Sequence, residues 1–490
     1  MFRKISFCFF LCCQLFAADL PEYPVVILGS GVAGLSAAIQ VAQAGVQPVV
    51  ITGLQPGGLI TKSDNVQNWP GEFEISGIDL ADKLQKQAEE RGTIFYPSMI
   101  QDIDVSKQPF IITLKTPFEK NKIQQIRATT VIITMGAQPK RLNVPGESEN
   151  MFLNIFTCAP CDGLRFKDKT VAIIGGGDSA LSEAHYLSAI AKKVILIVRK
   201  GQFKTIQPRE KDAILARPNV EVFYNTSVQS FDKKPQGLNL QLTTPTGEKP
   251  LLVDGAFLAI GSLPNTALFK GKLKLDKAGY IVLKNDQETT TAGIYAAGDI
   301  CDPAYKQAVT AAGDAVKAAL QAQQHFPATT VIQPAPPTGE VKTISSLADL
   351  QQAIKQAQKP VVASFSERWC PPCRALKFTF NRWAKEYEDQ AVFVRLDGEA
   401  CPECFDQYDV HSFPTILVFN SQGKVIYRAT GFEQISNVPD EIQKESQLSS
   451  RDSLDKNQNL YPMVFLNPKT SCTTLEPAKK RLKGSMRKSQ

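Results

Sequence analysis

Short apolar runs alternate with glycine-rich turns and helical patterns along the first 325 residues. PVVIL (residues 24–28) leads into GSGVAG and then into LSAAIQVAQAG, whose apolar positions have helical spacing. PVVIT follows at residues 48–52. The same order returns in TVAIIGGGDSALSEAHYLS (residues 170–188), and KVILIVRK (residues 193–200) follows it. Two strand–turn–helix–strand segments in one chain predict an α/β protein with two nucleotide-binding, Rossmann-like domains.

A third pattern begins beyond residues 326–343, which are rich in Pro and Thr and predict a semi-extended linker. PVVASFS then precedes RWCPPCR, the helical pattern ALKFTFNRWAKEY follows it, and HSFPTILVF adds another apolar strand. This order predicts a compact strand–helix domain at residues 344–440. The polar and basic residues 441–490 predict a disordered tail.

The composition is that of a soluble globular protein, with 43% hydrophobic residues in a chain long enough for about three domains. The formal charge is +7, but the last fourteen residues carry six Lys or Arg and no acid. The rest of the chain is therefore close to neutral, which argues against a nucleic-acid-binding surface.

The first glycine motif has the spacing of a dinucleotide-binding turn. Gly29, Gly31 and Gly34 follow a strand-like run directly and fit G-x-G-x-x-G. Such glycines allow a tight turn, close approach of the backbone to a pyrophosphate and close helix–strand packing. Asp299, in TTTAGIYAAGDI (residues 289–300), is predicted to follow a buried strand and to bond a ribityl hydroxyl. Together the two segments indicate FAD.

The second glycine motif consists of Gly175, Gly177 and Ala180. The strand after it ends in Arg199 and Lys200 rather than in an acid, and Lys204 follows a few residues later. An acid there would bond the 2′-hydroxyl of NAD, whereas cations suit the 2′-phosphate of NADP. NADPH is therefore the predicted second cofactor, with an ordinary solvated loop as the alternative reading of these cations.

A pair of cysteines lies between the two motifs. FTCAPCDG (residues 156–163) places Cys158 and Cys161 in a CxxC pair, followed by Asp162. A CxxC pair at a helix start suits disulfide exchange, because the helix dipole lowers a thiol pKa and the spacing allows ring closure. Zinc is the alternative for paired CxxC motifs. No further ligand pair lies close in sequence and the chain has three His, so no metal site is predicted.

These motifs carry a family resemblance. GSGVAG, NVQNWPG (residues 65–71), CAPCDG, GGGDSALSEA, AAGD and KQAVTAAG (residues 306–313) occur in that order. Together they make residues 24–325 resemble low-molecular-weight thioredoxin reductase. The resemblance implies an FAD domain at residues 23–140 and 265–325, with an NADPH domain inserted at residues 141–264. It also implies a homodimer and a domain rotation that alternates the dithiol between the flavin and an outside partner.

The roles of single residues are implied by the resemblance alone. Cys161 would contact the flavin, Cys158 would attack the partner disulfide, and Asp162 would protonate the departing thiolate. The family usually has a polar residue after the GG of its flavin loop, where this chain has Leu59. Further contacts with FAD are implied for Gly58, Asn68, Gly136, Gln307 and Ala308.

The second CxxC pair resembles the active site of a thioredoxin domain. Trp369, Cys370 and Cys373 match its motif, and Pro414 matches the cis-proline that faces the dithiol. By that match Cys370 is the exposed nucleophile and Cys373 the resolving thiol. Two departures predict altered exchange: Pro371-Pro372 replaces Gly-Pro between the cysteines, and Ser364 stands where the family has a buried aspartate.

Two dithiols and two cofactors in one chain predict a relay from NADPH through FAD and Cys158/Cys161 to Cys370/Cys373 and then to client disulfides. This layout resembles the reductases with a C-terminal thioredoxin domain, whose clients include peroxiredoxins. The alternatives are a flavin disulfide reductase with another donor or a separate thioredoxin, the C-terminal domain then serving as a client-docking module. For a third pair, Cys401 and Cys404, an auxiliary disulfide and bystander thiols are both open.

The sequence gives two conflicting indications of the cellular location. Residues 1–22 form a signal-like extension, with Arg3 and Lys4 before an apolar run and Ala17-Ala18 after it. NADPH is a cytosolic reductant, so a cytoplasmic location is favoured, and an exported or membrane-associated enzyme is the alternative.

Overall fold

The structure is a computed structural model that describes residues 20–63, 65–204, 208–326 and 338–458. The signal-like run, most of the predicted linker and the residues after 458 lie outside the described residues. The side chain of Cys161 lies outside them as well.

The N-terminal part of the chain forms these elements: β1 (Glu22–Leu28), α1 (Val32–Gln43), β2 (Pro48–Ile51), α2 (Gly77–Glu90), β3 (Ile94–Tyr96), β4 (Met99–Asp104), β5 (Phe110–Thr116), β6 (Lys122–Ile133) and β7 (Ala137–Pro139). The middle part adds α3 (Glu147–Asn150), β8 (Ile155–Phe156), α4 (Ala159–Asp162), β9 (Thr170–Ile174), α5 (Asp178–Leu187), β10 (Lys193–Val198), α6 (Pro208–Leu215), β11 (Val220–Tyr224), β12 (Ser227–Lys234), β13 (Gly237–Thr244), β14 (Gly247–Val253), β15 (Gly255–Leu258) and β16 (Ser262–Pro264). After these come β17 (Leu283–Asn285), β18 (Glu288–Thr289), β19 (Ile294–Ala296) and α7 (Ala308–Ala322). The C-terminal part contains β20 (Lys342–Ile344), α8 (Leu347–Gln356), β21 (Val361–Ser366), α9 (Pro371–Glu386), β22 (Val392–Asp397), α10 (Pro402–Gln407), β23 (Thr415–Phe419), β24 (Val425–Thr430), α11 (Gly431–Ile435) and α12 (Val438–Gln458).

The largest sheet has the order β17-β18-β19-β6-β1-β2-β3, with β5 and β4 continuing from β6. Its centre is parallel, because β1 pairs in parallel with β2 and β6, and β6 with β19. Residues 25–28 of β1 are buried throughout, as expected of a strand in a parallel sheet covered on both faces. Helices α1 and α7 pack against each other and bury their alanine-rich faces. We call this part the outer unit.

A second parallel sheet, β11-β10-β9-β15-β8, lies between β6 and β17 in the chain. The antiparallel sheet β12-β13-β14 packs on it through apolar side chains. The segments that enter and leave this part pair with each other as β7 and β16. We call it the inserted unit.

The C-terminal unit has a mixed five-stranded sheet with the order β20-β22-β21-β23-β24. β21 pairs in parallel with β22 and antiparallel with β23, and α9 covers one face. The three units confirm the predicted α/β class.

The disordered tail was predicted from residue 441, and that prediction is wrong for residues 441–458. Helix α12 runs through them to Gln458. Val438 and Ile442 lie one helical turn apart, and both are fully buried in the apolar cluster under α9. A single apolar pair in a strongly polar stretch is too short a pattern to indicate a packed helix.

The C-terminal unit packs directly on the outer unit. Phe118, two residues after β5, is completely buried inside the apolar cluster of α9 and α12. Its ring lies 5.1 Å from that of Phe432, and Phe95 stacks on Phe378 at 5.4 Å. These aromatic contacts lie in the interface between the C-terminal and outer units. Among the described helices, none combines the length and apolar character needed to cross a membrane.

Candidate cofactor and dithiol sites

The first glycine motif forms a turn in which the backbone leaves no room for side chains. Gly29 has φ +109°, and a Cβ on it would lie 2.6 Å from the Thr134 carbonyl oxygen. A Cβ on Gly34 would lie 1.9 Å from the Gly29 carbonyl oxygen. The Thr134 hydroxyl donates to the carbonyl oxygens of Leu28 and Gly29. Strand β1 and helix α1 therefore meet in the close contact that a dinucleotide-binding turn requires.

The loop at residues 56–58 closes on this turn. Gly57 donates its N–H to the Ser30 carbonyl oxygen at 3.0 Å and forms a bridge with Gly31. Gly58 has φ +69°, and a Cβ there would lie 2.9 Å from the Cα of Gly31. The structure therefore places Gly58 beside the first glycine motif.

Flavin contacts are also predicted for five other residues. They lie in two places, at the start of α7 and after the ends of β6 and β19. The Asn68 amide donates to the side-chain oxygen of Gln307 at 3.0 Å, and Gln307 caps α7, which begins at Ala308. Asp299 lies in the short 3-10 turn after β19, and Gly136 follows β6 with φ +65° and open space where a Cβ would lie. Since β6 and β19 are adjacent parallel strands, Gly136 and Asp299 share one edge of the sheet.

The carboxyl group of Asp299 is largely buried. The pKa of its carboxyl is raised to about 6, mainly by burial; the charge of Lys306 opposes the shift and that of Asp302 adds to it. Such a carboxylate gains from a hydroxyl donor, which is what a ribityl chain offers.

The second glycine motif is as tightly packed as the first. A Cβ on Gly175 would lie 2.3 Å from the Ala259 carbonyl oxygen, and Ala180 is completely buried. Lys204 donates its N–H to the Gly176 carbonyl oxygen at 2.7 Å, so its backbone lies alongside the motif. The remaining predicted cations, Arg199 and Lys200, are exposed directly after β10.

Cys158 stands immediately before α4 and is disulfide-bonded. Asp162 donates its N–H to the Cys158 carbonyl oxygen at 3.1 Å, and its carboxylate, 8% exposed, lies 3.8 Å from Arg165. A cleft of about 210 Å³ connects this helix to the loop that leads to Asn68; it is lined by Asn65, Gln67, Asp162, Leu164 and Arg165.

One further acid contacts the first dithiol loop and was not predicted. Glu183, on α5, accepts the N–H of Ala159 at 2.5 Å. The pKa of Glu183 is raised to about 7, mainly by burial; the hydrogen bond from Ala159 opposes the shift and the charge of Asp162 adds to it. The signal in the sequence is an acid beside the buried stripe of Ala180, Ala184 and Leu187.

The second dithiol caps α9. Cys370 and Cys373 form a disulfide with Cα atoms 5.3 Å apart, and the Cys373 N–H lies 3.3 Å from the Cys370 Sγ. The prediction that Cys370 is exposed is wrong for this structure, where Cys370 is only 4% exposed. Trp369 is 56% exposed and packs edge-on against Phe413. The peptide bond from Phe413 to Pro414 is cis. The structure thus brings the four predicted residues to one end of the C-terminal sheet, and Ser364 is buried in β21 beneath them.

Two arginines flank this dithiol and contact the outer unit. Arg368 lies 2.5 Å from Asp79 and 3.5 Å from Asp82 on α2, and Arg374 lies 2.8 Å from Asp82. The Arg374 Nε also donates to the Pro56 carbonyl oxygen at 3.2 Å. The second dithiol therefore lies beside the loop at residues 56–58, which closes on the first glycine motif.

The three remaining cysteines among the described residues are a buried disulfide pair and one thiol that ionises poorly. Cys401 and Cys404 form a disulfide at the start of α10, as a CxxC pair before a helix, and both are fully buried. Cys301 is a free thiol whose pKa is raised to about 12, mainly by burial.

The fold and these sites define a class: a two-nucleotide disulfide oxidoreductase that carries a second, thioredoxin-type dithiol. Residues 23–315 match the Pyridine nucleotide-disulphide oxidoreductase family, and residues 341–444 match the Thioredoxin family.

Named relatives share both parts. The chain is 32% identical over 429 residues to NADPH-dependent thioredoxin reductase 3 of Arabidopsis thaliana, covering 81% of this chain and 80% of that protein. It is 30% identical over 442 residues to the bifunctional thioredoxin reductase/thioredoxin of Mycobacterium leprae, covering 84% and 93%. The structure of thioredoxin reductase from Giardia duodenalis matches with a TM-score of 0.57 and 32% identity, covering 62% of this chain and 99% of that one. The chain therefore belongs to the thioredoxin reductase family, in the form that is fused to a C-terminal thioredoxin domain.

Proposed function

We propose that this chain reduces client disulfides with electrons from NADPH, passed through FAD and Cys158/Cys161 to Cys370/Cys373. The main support for this relay is the hydrogen bond between Arg374 and Pro56. It places the second dithiol against the outer unit, which contains the first glycine motif. The clients are disulfide-containing proteins, with thioredoxins and peroxiredoxins as candidates.

The residues present fit both cofactors. Gly29 and Gly34 let β1 and α1 pack closely, whereas a Cβ on Gly31 would contact only the Gly58 Cα, at 3.9 Å. The open backbone at Gly31, before the start of α1, would hold the pyrophosphate of FAD. Gly58, Asn68, Gly136, Asp299, Gln307 and Ala308 would contact the rest of FAD. Gly175, Gly177 and Ala180 would hold NADPH, with Arg199, Lys200 and Lys204 at its 2′-phosphate. When bound, FAD supplies two-electron transfer from a nicotinamide to a disulfide.

The residues of the chain then carry the exchange. The Cys158 thiolate attacks Cys370, and Cys373 leaves with the electron pair of the broken S–S bond. Cys161 next attacks Cys158, which releases Cys370 and re-forms the first disulfide. Asp162, nearly buried beside Cys158, holds the proton that a departing thiolate requires. The second dithiol then reduces a client by the same two steps.

The two dithiols have different neighbours on the outer unit. The Cys158 helix shares its cleft with Asn65 and Gln67, whereas the Cys370 loop contacts Pro56 and α2. Transfer therefore requires a rotation of the inserted unit, a shift of the C-terminal unit, or a partner subunit in a homodimer. Dependence on NADPH points to the cytoplasm as the place of action.

An anaerobic NADPH titration of the purified holoenzyme tests the relay. Flavin bleaching and newly exposed thiols are followed together, and uptake of about three equivalents is expected, one for FAD and one for each exchanging dithiol. The double variant Cys370→Ser/Cys373→Ser should take up about one equivalent less. If the native chain bleaches its flavin but leaves Cys370–Cys373 oxidised, the relay is wrong. If NADPH bleaches nothing, the donor is wrong.

A further inference from the structure

The surface around the second dithiol is occupied by an acidic segment of the same chain. Arg368 directly precedes Trp369, and Arg374 directly follows Cys373, so one cation stands on each side of the dithiol. We call Arg368 and Arg374 the basic collar. Both bind carboxylates of α2, Asp79 and Asp82, at 2.5 to 3.5 Å.

The charges on α2 leave these two acids available to the collar. Lys83 pairs with Glu72 at 2.6 Å, and Lys86 faces Glu90 at 3.8 Å. The Asp79 carboxylate also accepts a hydrogen bond from the Ser76 hydroxyl, whose oxygen in turn accepts the Asp79 N–H. The bond from Ser76, followed by that from Arg368, lowers the pKa of Asp79. Asp79 therefore presents negative charge to the collar, and the Asp82 carboxylate lies 2.8 Å from Arg374.

An aromatic contact accompanies the charges. Phe378 lies on α9 after Arg374, and its ring stacks on Phe95 at an interplanar angle of 21°. The α2 segment thus offers the collar two carboxylates, and β3 offers an aromatic ring beside them. Trp369 remains 56% exposed at the rim of the same surface.

We propose that this surface, consisting of the basic collar, Trp369 and Phe378, binds client proteins whose disulfide is flanked by carboxylates, and that the α2 segment occupies it as an internal competitor. The contacts made there show which chemistry the surface fits: two carboxylates from α2 and an aromatic ring from β3. A client with such groups gains the contacts that α2 makes, whereas a client without them must displace α2 with no charged contacts in return. The inference rests on the proposed function only in taking Cys370 as the thiol that meets the client.

The experiment uses the full chain with Cys158→Ser/Cys161→Ser as the background for every protein compared, reduced with dithiothreitol and then freed of it. The electrons then come from Cys370/Cys373 and not from NADPH or the first dithiol. The probes are two synthetic cyclic peptides closed by one disulfide, one with Asp on both flanks and one with Asn. Each reaction moves one disulfide from the peptide to Cys370/Cys373, and the amount of reduced peptide is measured by acid quench and chromatography. The Asp peptide is expected to react about fivefold faster at low ionic strength, and the ratio should approach one in high salt.

Two double variants separate the parts of the proposal. Arg368→Gln/Arg374→Gln should lose the preference for the Asp peptide, while the matched variant Lys377→Gln, exposed on the same helix, should keep it. Asp79→Asn/Asp82→Asn should react about three- to tenfold faster with the Asp peptide, because the competitor is weakened. The matched variant Glu90→Gln, at the far end of α2, should react at the native rate.

Equal rates for the two peptides with the native chain and with Asp79→Asn/Asp82→Asn would overturn client selection by the collar. Unchanged rates in Asp79→Asn/Asp82→Asn, in the presence of a preference, would overturn α2 as the competitor. Failure of the relay itself appears only in the NADPH titration and leaves these rates untouched.

Discussion

Replacing Glu183 by Gln tests whether a protonated carboxyl supports the first dithiol loop. The pKa of Glu183 is raised from 4.5 to about 7, mainly by burial, so the folded state holds the proton more tightly than the unfolded state does. The stability of the native inserted unit should therefore fall as the pH rises from about 4.5 to about 7, and the penalty should stay constant above that.

The size of the effect follows from the pKa difference. A raise from 4.5 to about 7 corresponds to at most about 3 kcal/mol of destabilisation above pH 7. Glu183 is only partly buried as a whole residue, and solvent screening reduces the figure to about 1–2 kcal/mol. Gln keeps an oxygen that accepts the Ala159 N–H and carries no charge. We expect Glu183→Gln to match the native chain near pH 5 and to exceed it by about 1–2 kcal/mol near pH 8.5.

The assay is thermal unfolding of the oxidised full chain across this pH range. A gain of 1–2 kcal/mol should appear as an upward shift of about 4–12 °C in the midpoint of the inserted unit at high pH. Glu221→Gln is the matched control, since Glu221 lies in the same unit and pairs on the surface with Lys193 at 2.7 Å. A difference between Glu183→Gln and the native chain that does not change with pH would refute the reasoning.

Three further outcomes are expected. Gly34→Ala should purify with little FAD, because its Cβ would lie 1.9 Å from a backbone oxygen, whereas Gly313→Ala, which has open space at its Cβ, should retain the flavin absorbance. Phe118→Ala removes a fully buried ring from the contact between units, at a cost of about 3–5 kcal/mol; an increased radius of gyration in X-ray scattering, with NADPH-dependent flavin reduction retained, is the expected result. Cys401→Ser/Cys404→Ser should lower the stability of the C-terminal unit by about 2–4 kcal/mol in denaturant unfolding. The same variant should leave NADPH uptake at about three equivalents, because the buried disulfide is closed to exchange; uptake of a fourth equivalent by the native chain alone would contradict this.

The local patterns of the sequence predicted the parts of the molecule that depend on neighbouring residues. Each glycine motif and each CxxC pair is a short segment whose chemistry is set by residue spacing, and the turns they form need glycine wherever the backbone approaches itself. The α/β class and the presence of three units followed from the same short-range order of strands, turns and helices.

Contacts between distant residues were decided only by the tertiary structure. Arg368 binds Asp79, which lies 289 positions earlier in the chain. The sequence around an arginine does not indicate which distant acid the arginine will bind. Glu183 contacts the first dithiol loop because α5 packs beside α4. Helix α12 is stabilised because Ile442 packs in the apolar cluster under α9. Spacing along the chain determines turns, helices and motif chemistry, since these are local; burial and charge pairing depend on which surfaces meet, and only the packed fold brings those surfaces together.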